Sequence, residues 1–241
     1  MERQKNSHIK NFIDELEREV YHPILKRDAR QVKLEAEKAF YLLLPLLNGE
    51  DWTEQMNTAA IAVGSVHAAL DAHDSIDRFN ATSKSQQLTV LSGDYFSGIH
   101  YKLLASLSDF NFMRALSLMI GRINEVKTVY HGCSPTSSEE LIETVQLIES
   151  GCITEFLHAF GFSRYAPLAA IALPLIRMNG LSYKQSLHNG LGWNKGDIAM
   201  EQVITELQLK MSKLIDEANF ISPLLKEEIR GMTMPLLGKP I

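Results

Sequence analysis

The chain has 241 residues, a formal net charge of −5 and a sequence pI near 5.9. This acidic balance excludes a broad basic surface, so general electrostatic binding to nucleic acid or to anionic lipid is not expected. Hydrophobic residues make up 45% and charged residues 22% of the chain, which is typical of a globular protein. We therefore expect a single folded domain over residues 1–241.

The N-terminal residues, the longest apolar stretch and the two cysteines do not indicate a membrane protein or an oxidising compartment. The N-terminal residues MERQKNSHIKNF lack the apolar core of a secretory signal. The longest apolar stretch, residues 165–176, contains Pro167 and Pro174 and is shorter than the ~20 residues that cross a bilayer. Cys133 and Cys152 fit neither a zinc site nor a disulfide framework. We expect a cytoplasmic protein with no transmembrane segment and with two reduced, structural cysteines.

Apolar residues recur at helical spacing along almost the whole chain, and no run alternates as a strand does. This pattern predicts an all-α fold. The first helix carries its apolar face from Ile9 to Val20 and stops at Pro23, and the second is expected to kink near Pro45 and to close at Gly49. The predicted helices after the first cover residues 31–47, 51–76, 87–106, 112–130, 137–160, 167–178, 183–188 and 198–219, and a last short one opens at Ser222 and Pro223.

Two starts of these helices resemble capping boxes, Asp51 with Glu54 and Ser137 with Glu140. The segment GLGWNKGD at residues 190–197 is rich in turn residues, so we expect it to be the most flexible stretch.

Two glycines lie inside the helix predicted at residues 87–106. Gly93 and Gly98 both cost helix propensity. We expect them to permit the close approach of a neighbouring helix.

The densest polar feature is VHAALDAHDSID at residues 66–77. On a helix, His67, Asp71 and Asp74 are four and three residues apart and Asp77 follows three further on, so they share one stripe. Carboxylates stacked in this way repel one another. Either a metal or basic partner relieves this repulsion, or the stripe is simply a solvated helix end.

This feature and the helix after it carry a family resemblance. HDSID at residues 73–77, followed by QLTVLSGDYFSGIHYKLLAS at residues 87–106, resembles the trans-isoprenyl diphosphate synthases, in which a DDxxD motif precedes a helix with a GDYL-like sequence. ALDAHD, LTVLSGDYFSG and INEVK at residues 123–127 are more similar still to component I, the small non-catalytic subunit, of bacterial two-component heptaprenyl diphosphate synthases. The resemblance covers about residues 54–160 and implies the isoprenoid synthase fold. The family-matching helix positions are Gly93, Asp94, Tyr95 and Phe96.

In catalytic members of the family, two aspartate-rich motifs hold Mg²⁺ ions that grip an allylic diphosphate and draw it off as the leaving group. This chain has a degenerate first motif. His73 stands in place of the leading aspartate, which leaves Asp74 and Asp77 as the matching carboxylates. The arginine pair that follows in the family is replaced by Arg78 and Phe79, and then by a polar stretch around Lys84. A firm grip on phosphate is therefore not expected.

The second half of the catalytic inventory is also missing from the sequence. The lysine-threonine pair of the family corresponds to Glu149 and Ser150, which exchanges a cation for an anion. No Asp-Asp pair occurs anywhere, so the second motif has no counterpart. We therefore assign no catalytic residue and no metal or cofactor to this chain.

The resemblance implies a partner. It predicts a heterodimer with a catalytic large subunit, in which that subunit holds Mg²⁺ and prenyl diphosphates are handled through the complex, for synthesis of the menaquinone side chain. The small residues Gly64, Ala68 and Ala69 then are candidates to line the tunnel for the growing chain, with ordinary close packing as an equal alternative. The fourth and fifth helices are the predicted subunit contact, and their candidate anchors are Tyr95, Phe96, Phe110 and Phe112. For each of these residues taken singly, a place in the core is the favoured alternative.

Two other interpretations stay open. His67 with the His73-Asp74 doublet could serve as metal ligands in a helical phosphohydrolase of the HD type. A helical interaction protein unrelated to isoprenoids would share the composition and the absence of a catalytic set.

Overall fold

The computed structural model describes residues 2–29, 34–76, 82–130, 135–179 and 200–234. Every regular element in these ranges is helical, which confirms the all-α prediction. The helix predicted at residues 183–188, the segment at residues 190–197, Asp77 and Cys133 lie outside the described residues. The α-helices are α1 Glu2–Glu19, α2 Pro23–Asp28, α3 Ala36–Leu42, α4 Leu44–Leu47, α5 Glu54–Asp74, α6 Lys84–Leu107, α7 Phe110–Tyr130, α8 Ser138–Ala159, α9 Ala166–Asn179, α10 Met200–Glu217 and α11 Pro223–Thr233, with a 3₁₀ turn at Ser163–Tyr165 before α9.

The second predicted helix is divided into two. Leu43, at φ −91° and ψ 3°, separates α3 from α4. Pro45 sits in the first turn of α4, where its missing N–H is not needed. The kink predicted near Pro45 thus takes the form of a break two residues earlier, because the proline ring does not tolerate a continuous helix behind it. Gly49, at φ +90°, closes α4 as predicted.

The start of α5 differs from the capping box predicted at Asp51. Thr53 is the N-cap residue, and its Oγ1 accepts a hydrogen bond from the Met56 N–H at 3.2 Å. Asp and Thr are both good N-cap residues, and the extended backbone at Thr53 is what brings its hydroxyl over the open end of the helix. The prediction of Asp51 as the cap was therefore wrong by two residues.

The start of α8 confirms half of its predicted capping box. Ser137 Oγ accepts from the Glu140 N–H at 3.1 Å. The Glu140 carboxylate turns instead to the Thr136 N–H at 2.6 Å and to the Tyr130 hydroxyl. These hydrogen bonds lower the pKa of Glu140 to about 2, and the bond from the Tyr130 hydroxyl makes the largest contribution.

The chain divides into two compact units, Met1–Arg114 and Ala115–Ile241, with the boundary inside α7. In the first unit α5 packs along α6, and in the second α8 packs against α9 and α9 against α10. Each unit has a buried core of its own, around Phe40 and Ile61 in the first and around Phe156 and Tyr165 in the second. A single domain over residues 1–241 stays a prediction. None of the helices in the described ranges is both long enough and apolar enough to cross a membrane.

Candidate functional site

The degenerate motif lies at the C-terminal end of α5. Much of this helix is built from small residues that are fully buried, which places its backbone deep in the first unit. His73 and Asp74 occupy its last turn, and Ser75 caps it. The motif therefore begins on the helix and runs out of its end, and its third position, Asp77, is outside the described residues.

The predicted polar stripe of α5 receives a cation from another helix. Lys38 of α3 places its Nζ 3.7 Å from Asp71 Oδ1 and 3.4 Å from Glu35 Oε2. The side chain of Lys38 is only 5% exposed, whereas that of Asp71 is 32% exposed. His67, one turn before Asp71, is buried. The basic partner that the sequence called for is thus a buried lysine of the chain itself.

His73 packs against α6. A Cβ atom built on Gly93 would lie 2.5 Å from His73 Nε2, so only a glycine leaves room for the ring. The same Nε2 lies 3.8 Å from Asp94 Oδ1. Two of the four family-matching positions, Gly93 and Asp94, therefore meet the degenerate motif directly. The close approach predicted for Gly93 is confirmed.

Within the described part of the chain no neighbouring helix approaches Gly98, so the same prediction is not met there. A Cβ on Gly98 would have no described atom within 4 Å. Gly98 lies five residues beyond Gly93, so it points to a different side of α6.

Lys84, the lysine that follows the motif, is also paired within the chain. Its Nζ lies 3.0 Å from Asp28 Oδ2, and Arg27 Nε lies 2.8 Å from Asp28 Oδ1. Hydrogen bonds from Arg27 and then Lys84 hold the pKa of the Asp28 carboxyl well below its usual range. This pairing joins α2 to the first turn of α6, and the carboxylate offsets part of the charge of the two exposed cations.

The residues aligned with the family's lysine-threonine pair lie on α8. Glu149 is buried, and its Oε1 is 3.4 Å from Arg177 Nε of α9. Ser150 donates a hydrogen bond to the Gln146 carbonyl oxygen at 2.6 Å. Glu149 therefore links α8 to α9, whereas the Ser150 hydroxyl bonds back within α8.

The three candidate tunnel residues are packed by side chains of the first unit. A Cβ on Gly64 would lie 2.8 Å from Leu16 Cδ2. Ala68 and Ala69 are buried in a cluster with Ala72 and Phe96, and Val20, Leu25 and Tyr95 pack against it. These contacts agree with the alternative of ordinary close packing, and a tunnel role for the three residues stays a prediction.

Two of the four candidate interface anchors belong to the core. Phe96 and Phe112 are buried within the chain, as the core alternative expected for each anchor has it, so they have little surface left for a partner. Tyr95 is half-buried and donates its hydroxyl to the Tyr21 carbonyl oxygen at 3.3 Å. Phe110 is 76% exposed and remains a candidate.

The outer side of α6 carries exposed apolar residues that were not predicted from the sequence. Leu91 and Tyr101 are both more than half exposed, and Gly98 lies between them with open space above it. The spacings of seven and three residues place all three on one face of a helix. This spacing was available in the sequence, but the same pattern describes the buried face, and only packing separates the two.

The described residues do not assemble a metal site. No group of three or more His, Cys, Asp or Glu side chains in them is arranged to hold a metal ion. This arrangement gives no support to the ligand set of an HD-type phosphohydrolase, in which His67, His73 and Asp74 would have to converge with further ligands.

Comparisons with known proteins agree with the family resemblance. The family model described as heptaprenyl diphosphate synthase (HEPPP synthase) subunit 1 matches residues 22–188. Heptaprenyl diphosphate synthase component 1 of Geobacillus stearothermophilus is 28% identical over 118 residues, which are 49% of this chain and 54% of that protein. The chain thus spans about half the length of this relative.

Solved structures show the same fold at low sequence identity. The crystal structure of heptaprenyl diphosphate synthase from Staphylococcus aureus matches with a TM-score of 0.68 and 13% identity over 95% of this chain and 98% of that chain. A deletion mutant of the mint heterotetrameric geranyl pyrophosphate synthase, in complex with ligands, matches with a TM-score of 0.63 and 13% identity over 97% of this chain and 100% of that chain. At this identity the likeness establishes the isoprenoid synthase fold alone. The family match covers well over half of the sequence, and the chain belongs to the family of heptaprenyl diphosphate synthase subunit 1.

Proposed function

We propose that this chain is the non-catalytic small subunit of a two-component polyprenyl diphosphate synthase. It pairs with a catalytic large subunit as a heterodimer in the cytoplasm and supports the elongation of farnesyl diphosphate with isopentenyl diphosphate, for the side chain of menaquinone. The large subunit supplies the Mg²⁺ ions and the residues that grip the diphosphates.

The observation that carries this proposal is the pairing of charges around the motif. Ionisation of an allylic diphosphate needs carboxylates that hold metal and cations that hold phosphate oxygens. In the described residues the cations nearest in sequence or space to the motif lie beside carboxylates, Lys38 beside Asp71 and Lys84 beside Asp28. Lys38 is buried in its pair and does not reach a charged substrate, whereas the exposed Lys84–Asp28 pair offsets part of the Lys84 charge.

The outer face of α6 is the proposed contact with the large subunit. We define this face by Leu91, Gly98 and Tyr101, and Phe110 at the start of α7 is the remaining aromatic candidate. Exposed apolar side chains on one helix face are typical of protein interfaces. The open space above Gly98 lets a partner helix come close to the backbone.

Reconstitution tests the function. The purified chain, the purified large subunit and an equimolar mixture are each incubated with farnesyl diphosphate, isopentenyl diphosphate and Mg²⁺, and the products are identified by mass spectrometry. We expect turnover by the mixture and none by this chain alone. Turnover by this chain alone, or a mixture no more active than the large subunit, contradicts the proposal.

A pair of surface variants tests the contact. Leu91→Arg changes the outer face of α6, whereas Leu209→Arg changes a leucine of α10 that is even more exposed. Loss of one buried leucine at an interface removes about 1.5–3 kcal/mol, which raises Kd roughly 10–100-fold. We expect Leu91→Arg to reduce activity at limiting concentrations of this chain and Leu209→Arg to leave it unchanged. Equal effects of the two variants would exclude this face as the contact.

A further inference from the structure

Helices α5 and α6 run antiparallel and touch at two histidines. In the middle part of α5, His100 Nδ1 of α6 donates a hydrogen bond to the Ala62 carbonyl oxygen at 2.9 Å. At the other end, His73 of α5 contacts Gly93 of α6. Between these two points the helices are joined by the apolar cluster of Ala68, Ala69, Ala72 and Phe96.

The contact at Gly93 is steric. A Cβ atom there would lie 2.5, 2.6 and 2.9 Å from Nε2, Cε1 and Cδ2 of the His73 ring. Real Cβ atoms do not approach other heavy atoms this closely, and the ring has the Gly93 backbone on one side. The distance of 3.8 Å from Nε2 to Asp94 Oδ1 exceeds that of a hydrogen bond. The contact is therefore one of shape rather than of a polar bond, and it is made by a side chain that is 40% exposed.

We propose that His73 and Gly93 form a clasp that sets the register of α5 against α6. If α6 slid by one helical turn, Thr89 or Ser97 would take the place of Gly93. Either side chain would bring a Cβ into the volume of the imidazole. Gly98 cannot replace Gly93, because it lies five residues away and faces another side of the helix. In the present register a glycine lies under the ring, whereas a shift by one turn would force the ring to move.

The clasp has a consequence that rests on the proposed function. Leu91 and Tyr101, on the outer face of α6, are carried by the helix whose register the clasp sets. A shift of α6 by one turn would displace both side chains by about 5 Å along the helix axis. His73 and Gly93 are therefore positioning residues for the contact with the large subunit, although neither has to touch it.

Thermal unfolding of four variants of the isolated chain tests the clasp. They are Gly93→Ala, His73→Ala, the double variant, and Gly98→Ala as the matched control on the same helix. Alanine is a better helix former than glycine, so Gly98→Ala, with open space around it, should raise Tm by about 2–4 °C. Gly93→Ala should lower Tm by at least as much, because its Cβ collides with the ring. Once His73→Ala has removed the ring, adding Gly93→Ala should raise Tm as the control does.

This reversal of sign between backgrounds is the expected result. If Gly93→Ala alone fails to fold while the double variant folds, the clasp is equally supported. If Gly93→Ala raises Tm in both backgrounds, or lowers it equally in both, the clasp is excluded.

Affinity for the large subunit, measured by titration, is the second readout. Gly93→Ala should weaken it at least tenfold at a temperature where the variant is folded, and the double variant should recover most of it. If the unmodified chain does not bind the large subunit, the proposed function fails while the thermal result still decides on the clasp. If the unmodified chain binds and Gly93→Ala binds equally well, the positioning role is excluded.

Discussion

Substitutions in the Lys38–Asp71 ion pair should destabilise the protein unequally. The Lys38 side chain is 5% exposed, whereas Asp71 is 32% exposed and Glu35, the second carboxylate beside Lys38, is 45% exposed. A buried charge that loses its partner cannot recover the solvation it gave up on folding. A carboxylate that still reaches water can recover part of it.

The magnitudes follow from this difference in burial. Asp71→Asn leaves the ammonium group buried, with Glu35 still 3.4 Å away. Breaking a fully buried pair from one side costs about 3–5 kcal/mol, and the remaining carboxylate reduces this to about 2 kcal/mol. Lys38→Met keeps the apolar stem and removes the charge, while both carboxylates turn to solvent, so it costs about 1 kcal/mol or less.

Urea unfolding followed by helical circular dichroism measures both values, provided that the m-value is unchanged. The double variant Lys38→Met with Asp71→Asn should be more stable than Asp71→Asn alone, because the stranded cation is gone. If Lys38→Met costs more than Asp71→Asn, or if the double variant shows simple additivity, the account of Lys38 as a buried counter-ion is wrong.

Two further predictions concern buried ionisable groups elsewhere. Burial lowers the pKa of His100, so the unfolded chain binds a proton more readily than the folded chain. The free energy of unfolding should therefore fall as the pH drops below about 6.5. Urea unfolding at pH 5.5 and 7.5 should show a smaller fall for His100→Gln than for the unmodified chain. Glu149→Lys restores the residue type of the catalytic family members and sets a cation against Arg177, which lies 3.4 Å from the Glu149 carboxylate. This substitution should lower the unfolding free energy by about 3 kcal/mol or more, and it should not produce turnover by the chain alone. Stability equal to that of Glu149→Gln would contradict the ion pair.

The fold was predictable because the helical period is a local property of the sequence. Helices α5 to α9 lie within a few residues of their predicted positions, since their apolar residues recur every three or four positions over long stretches. The errors fall where two residues compete for one local role. Thr53 rather than Asp51 caps α5, and the break before α4 falls at Leu43 rather than at Pro45.

The candidate site was predictable only in part, because its contacts come from separate helices. The stripe of His67, Asp71 and Asp74 follows from spacing alone. The partner of Asp71 does not, because Lys38 belongs to another helix and reaches Asp71 only in the folded chain. Gly93 and Gly98 had the same signal in the sequence, but one faces His73 and the other faces open space. Tertiary packing alone separates them.

The degenerate motif suggests how a subunit can lose catalysis and keep its fold. In catalytic relatives, carboxylates at the end of this helix require a metal to balance them. Here Asp71, which lies just before the motif, is paired with Lys38, and the leading position of the motif is taken by His73, whose ring packs on Gly93. These contacts join α5 to α3 and to α6 without a metal and without substrate. Under the proposed function, the helix that carries the outer face is therefore held by contacts in which no substrate takes part.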